Sequence, residues 1–166
     1  NKEIQGYEAR IKAIKGTSKV KKDNDAEERR LESERVKRLN GTFNLKKFLI
    51  AQDITFQKEI IENTKKSEKE RLLALKKSSK LEEELAFETA VNRLAIRKGF
   101  TREEVVQYLK DGEEKKAFLD KLGNEELLII KQYEAKKKAI TKNKEDKEDE
   151  IEFKRIVDLA EKKKFE

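Results

Sequence analysis

The chain has 166 residues, 42 basic and 35 acidic side chains, a net charge of +7, and no His, Cys, Met, Pro or Trp. Without His or Cys there is no Ser-His-Asp or Cys-His nucleophile system, no thiolate redox chemistry, no disulfide and no zinc site of the usual ligand types. No apolar run is long enough to cross a bilayer, so no membrane span is expected, and neither are an enzymatic activity, a cofactor or a metal.

Composition points to helices. Charged residues make up 46 % of the chain, against roughly 25 % in an ordinary globular domain. Ala, Glu, Lys, Leu and Arg together exceed half of it, the signature of long helices and coiled coils. Leu, Ile, Val and Phe still supply about a quarter, above the range in which a charged chain stays disordered. The absent prolines matter because a helix interior rejects each at about 3 kcal/mol. The expectation is an all-α fold of elongated helical coiled-coil segments with a short two-helix interruption near 100–123. Asn1 and the absence of Met read as an internal stretch of a longer polypeptide.

Residues 1–40 form a charged segment, helical or flexible. Ile4, Tyr7, Ile11 and Ile14 are spaced by 3, 4 and 3, a short heptad-like stripe that Gly16-Thr17-Ser18 is expected to interrupt. Residues 21–38 hold only Leu31 and Val36 as large apolar side chains. Such a stretch is either a solvated helix held by charge pairs or a connector.

Residues 41–99 are predicted to be long amphipathic helices. Phe43, Leu45, Phe48, Leu49, Ile50, Ile54, Phe56, Ile60 and Ile61 crowd the stretch 43–61, too many apolar groups for one partner surface. After the polar Asn63-Thr64-Lys65-Lys66, Ser67 and Glu70 make a capping box. It opens a helix through Leu72, Leu75, Leu81, Leu85, Phe87, Val91 and Leu94 to Gly99.

At 100–123 two short helices are expected, with breaks at Gly99, Gly112 and Gly123. Phe100, Thr101, Glu104 and Val105 superimpose a hydrophobic staple on a capping box. Residues 124–166 are predicted to be a last long helix, capped by Asn124. It carries Leu127, Leu128, Ile130, Tyr133 and Ile140, crosses an apolar-free stretch at 141–150 and resumes its stripe at Ile151. If the corner at 100–123 is a turn, helices 67–98 and 124–140 run back along each other. If it is an in-line interruption, their apolar faces must meet neighbouring copies.

The positive excess lies in the first 99 residues. Lys19, Lys21, Lys22, Arg29, Arg30, Lys37 and Arg38 could meet phosphates, so a weak nucleic-acid contact through basic residues 10–47 is one reading. Interleaved acids and the lack of an aromatic platform favour a solvated helix face. Glu82-Glu83-Glu84 and Glu148-Asp149-Glu150 point in different directions on a helix and do not converge into an acid–base pair. Asp146, Glu148 and Glu150 lack the glycine turn of an EF-hand loop. No catalytic, cofactor-binding or metal-binding residue is assigned.

Two segments, Glu70-Arg71-Leu72-Leu73-Ala74-Leu75-Lys76 and Glu125-Glu126-Leu127-Leu128-Ile129-Ile130-Lys131, begin alike, as capped amphipathic helices generally do. The stretch Asn63-Thr64-Lys65-Lys66-Ser67-Glu68-Lys69-Glu70-Arg71-Leu72-Leu73-Ala74-Leu75-Lys76-Lys77, followed by Leu81-Glu82-Glu83-Glu84-Leu85-Ala86, resembles internal helical segments of the tape measure proteins of tailed phages and prophages. Residues 125–137 are similar to another such segment. The resemblance is best over 60–90 and looser over 43–160. It implies a virion structural protein, assembled in the host cytoplasm, that fills the phage tail tube and sets tail length. It also implies homo-oligomers (dimer, trimer or higher) and tail tube proteins as partners, and no catalytic residues. An intracellular coiled-coil scaffold is the alternative of the same composition.

Overall fold

Local signals decide where the helices start and stop. The computed structural model describes residues 2–109 and 113–164, and these form five helices: α1 (Lys2–Glu62), α2 (Glu68–Lys98), α3 (Arg102–Leu109), α4 (Glu113–Asp120) and α5 (Asn124–Lys164). The fold is all-α, with no strand among the described residues. The chain divides into two units, Asn1–Arg38 and Leu39–Glu166.

In the first unit the backbone is helical through Gly6 and Gly16, so the interruption expected at Gly16-Thr17-Ser18 is absent. A glycine costs a helix only about 1 kcal/mol relative to Ala, and no proline follows to stop the chain. The charged stretch is a solvated helix. Arg30 reaches Glu34 at 2.9 Å and Arg35 reaches Glu32 at 2.6 Å, both within about one turn. Such solvent-exposed pairs add little to the helix and are screened by salt. Hydrogen bonding to Arg30 also holds the Glu27 carboxyl below its ordinary pKa.

The second unit is built on α2. Ser67 is in an extended conformation and its hydroxyl accepts the Glu70 N–H at 3.2 Å, the predicted cap. At the other end Gly99 takes a left-handed φ of 71° and donates its N–H to the Ala95 carbonyl. Only glycine adopts that φ without strain. The Thr101 hydroxyl then accepts the Glu104 N–H at 3.2 Å and opens α3. Gly112, the third expected break, lies outside the described residues.

The corner is a turn. Phe100, Tyr108 and Phe118 pack as a three-ring cluster, Tyr108 stacked on Phe118 at 5.0 Å between centroids and Phe100 edge-on to both. Val105 and Phe118 feed the main core with Ala90, Val91, Leu94, Ala95, Leu122, Ile129 and Ile130. The chain therefore reverses and α5 packs along α2 in the opposite direction. Arg97 pairs with Glu125, Phe87 meets Tyr133 at 5.9 Å, and Glu68 meets Arg155. A second, smaller core joins Ile61, Ala74, Leu75 and Ile151.

Asn124 is not the cap of α5. The Leu127 N–H bonds to the Gly123 carbonyl at 3.0 Å, which places Asn124 already inside the first turn. The Glu126 carboxylate folds back to this helix start, into space that a Cβ on Gly123 would occupy at 2.8 Å.

Candidate functional site

The residues of α1 in the second unit have two apolar sides. Ile50, Ile54, Gln57 and Ile61 are buried on one, and polar contacts tie the same stretch of helix to α2. Asn92 donates to Asn40 at 3.1 Å, Lys46 approaches Glu88 at 3.4 Å, and Lys58 approaches Glu82 at 3.4 Å. On the other side Leu45, Phe48, Leu49 and Phe56 are 55–61 % exposed. Four large apolar side chains on one unpartnered helix face exceed the scattered exposure that needs no explanation. The crowding at 43–61 asks for more than one partner surface; the described residues of the second unit supply one.

Between α1, α2 and α5 lies a groove of about 670 Å³. It exists because Ala51, Ala86, Ala90 and Ala139 face it from all three helices and leave it unfilled. Ile54, Leu85, Ile129 and Ile140 form its floor, and Lys58, Arg93 and Lys136 outnumber Glu82 around its rim. Its two threonine hydroxyls both donate to their own helix: Thr55 to the Ala51 carbonyl at 2.9 Å and Thr89 to the Leu85 carbonyl at 2.7 Å. Arg93 donates to Gln132 at 2.9 Å. Both threonine hydroxyl protons are thereby engaged within their own helices.

Two buried ion sites anchor the second unit, and neither stands out in the sequence. Arg71 is buried and its Nε donates to the Ile61 carbonyl at 2.7 Å, which caps the C-terminal end of α1. Glu88 is 7 % exposed and accepts both the Nε (3.1 Å) and Nη2 of Arg102, with Lys46 alongside. That bond to Glu88 raises the Arg102 pKa further above its ordinary value against the effect of burial. No side-chain polar atom buried among the described residues lacks a partner.

The Glu126 carboxyl is held below its ordinary pKa first by its own backbone N–H and then by Lys98 and Arg97, against desolvation. Arg97 Nε stands at 3.5 Å and Lys98 Nζ at 3.6 Å. A depressed carboxyl stabilises the fold above its unfolded pKa and loses that contribution as pH falls through the folded value. The unfolding midpoint should therefore drop as the solution is acidified below the ordinary carboxylate value of 4.5. Glu126→Gln should flatten that drop, read by circular dichroism between about pH 6 and about pH 2. An unchanged acid slope in the variant would remove Glu126 from the account.

The carboxylate runs behave as solvated faces. Glu82 pairs with Lys58, Glu148 with Lys144 at 3.7 Å, and Glu150 with Lys147 at 3.2 Å. Among the described residues no group of three or more Asp or Glu side chains is placed to hold a metal ion, and no helix is long and apolar enough to cross a membrane. In the first unit the basic residues differ in their partners. Arg30 is tied to glutamates. Lys12, Lys15, Lys19, Lys22, Arg29 and Lys37 are exposed and, at about 3.6 residues per turn, share one side that is free of acids from 12 to 37. The row Ile4, Tyr7, Ile11 and Ile14 is exposed as well.

Comparison with protein-family models, with curated proteins and with solved structures finds no match to this chain.

Proposed function

We propose that this chain is a structural, assembly-forming segment of a phage-like tail, a stretch of tape measure protein. The observation that carries the assembly part is the apolar face of α1 at Leu45, Phe48, Leu49 and Phe56, unpartnered and opposite the packed one. The resemblance of residues 60–90 to tape measure helices supplies the tail. Since α5 returns along α2, residues 68–164 contribute less length than their contour. In-frame removal of the segment from the parent polypeptide of a phage should shorten the tails seen by electron microscopy. The step should be smaller than the roughly 250 Å that one continuous helix of this length would span. Tails of unchanged length would overturn the reading.

The acid-free basic side of the first unit favours a second reading, contact with the phosphates of duplex nucleic acid. Its affinity would fall with salt by a slope of about −0.9 for each phosphate neutralised. Charge reversal at Lys19 and Lys22 should weaken binding and flatten that slope. A chain that fails to bind DNA at low salt removes this reading.

A further inference from the structure

Arg71 is a buried cation that no carboxylate neutralises. It is 8 % exposed, its Nε donates to the Ile61 carbonyl at 2.7 Å, and it makes no ion pair among the described residues. Burying a guanidinium without a counter-charge is costly. The C-terminal end of α1 offsets part of that cost, since a helix end carries roughly half a negative charge. The two Nη groups have no protein partner among the described residues, yet no fully buried polar atom there is left unsatisfied. They must therefore reach the surface. Arg71 forms part of the wall of a pocket of about 260 Å³, enclosed by the 63–67 loop, the start of α2 and the last third of α5. The free edge of the guanidinium opens there.

The rest of that wall is basic. Arg155 pairs with Glu68 at 3.4 Å and Lys66 with Glu70 at 3.9 Å, so these four charges largely cancel. Arg71, Lys154 and Lys162 remain, with Asp158 as the one other acid among the described lining residues. Lys154, Asp158 and Lys162 are exposed and follow one another at intervals of four along one side of α5. The excess is two positive charges around a concave space. We propose that this pocket binds a phosphoryl dianion, as inorganic phosphate or as the phosphate of a small monoester. A phosphate group carries about −1.5 to −2 charge near pH 7, which the excess matches. The Nη edge of Arg71 suits two oxygens of a tetrahedral oxyanion, and the two lysines at the mouth supply point charges. The pocket is smaller than the roughly 300 Å³ at which drug-sized sites begin. No aromatic side chain lines it for a base to stack on, so it suits a compact phosphate rather than a nucleotide. The site is independent of the tail reading.

Isothermal titration calorimetry of the full chain with inorganic phosphate, set against sodium chloride at the same ionic strength, should show saturable binding at one site. Reversing the two exposed lysines, Lys154→Glu with Lys162→Glu, should weaken it by about tenfold or more. Lys131→Glu with Lys137→Glu, exposed on the same helix outside the pocket, should leave it within about twofold. In the wild-type chain phosphate should also move the side-chain N–H resonances of Arg71. Glycerol 3-phosphate in place of inorganic phosphate separates the two sources: tighter binding marks a monoester, equal or weaker binding the free ion. Heat that does not saturate, or that chloride reproduces, would overturn the site. So would a Lys154→Glu, Lys162→Glu chain that binds no worse than the remote variant, or Arg71 resonances that stay in place.

Discussion

Leu94→Ala is expected to lower the stability of the second unit by about 2–5 kcal/mol in denaturant unfolding. Leu94 is fully buried where α2, the corner helices and α5 meet, against Val91, Val105, Phe118 and Ile130. Removing its isobutyl group costs the transfer energy of the lost carbons and leaves a cavity that three surrounding elements cannot close together. That loss is a large share of the roughly 5–15 kcal/mol that holds a typical domain folded. Leu73→Ala is the internal control. It lies on the same helix but is 52 % exposed. Its effect should stay within about 0.5 kcal/mol, the usual range for a surface substitution. Similar losses at the two positions would mean that α2 buries a different face.

Arg102→Ala is expected to cost about 3 kcal/mol, because it strands a buried carboxylate. Glu88 would keep only Lys46, whose ammonium is at 3.4 Å and partly in water. The pair is a tie between α2 and the start of α3, so its loss also frees the corner. In a double-mutant cycle, Glu88→Ala with Arg102→Ala should cost clearly less than the sum of the single changes, since the second removal has no stranded charge to create. Additive losses would mean that the two side chains act independently.

Much of this fold was legible where it depends on short-range chemistry. The Ser67 and Thr101 hydroxyls each accept the N–H three positions on, as the sequence reads, while the returning glutamate half of the two capping boxes is not formed among the described residues. Glycine was a less dependable mark. Gly99 ends α2 because it takes a left-handed φ, whereas Gly16 and Gly41 lie within α1, where glycine costs little. The choice between turn and in-line interruption at 100–123 was not readable. It rests on Phe100, Tyr108 and Phe118 meeting across two helices, which no spacing rule encodes. The buried Arg71 and Glu88 were hidden for a similar reason. In a chain this charged, one Arg or Glu within a helical pattern looks like any solvated neighbour. The groove escapes a linear reading too, since its alanines come from three separate helices. The unpartnered face of α1 was the most readable part of the candidate site, because so many large apolar side chains between 43 and 61 cannot share one side of a helix.

That face carries the central claim, and its energetics separate a docking surface from a core. Within one chain, Leu45, Phe48, Leu49 and Phe56 contribute little if they are exposed, and several kcal/mol if they pack inside. The direct measurement is thermal unfolding of a dilute variant with all four replaced by Gln, set beside the wild-type chain at the same low concentration. The account predicts a fully helical variant whose stability lies within about 1 kcal/mol of wild type, surface substitutions being nearly neutral. A loss of several kcal/mol, or collapse of the helical signal, would show that these side chains belong to the core of the single chain and would contradict the account.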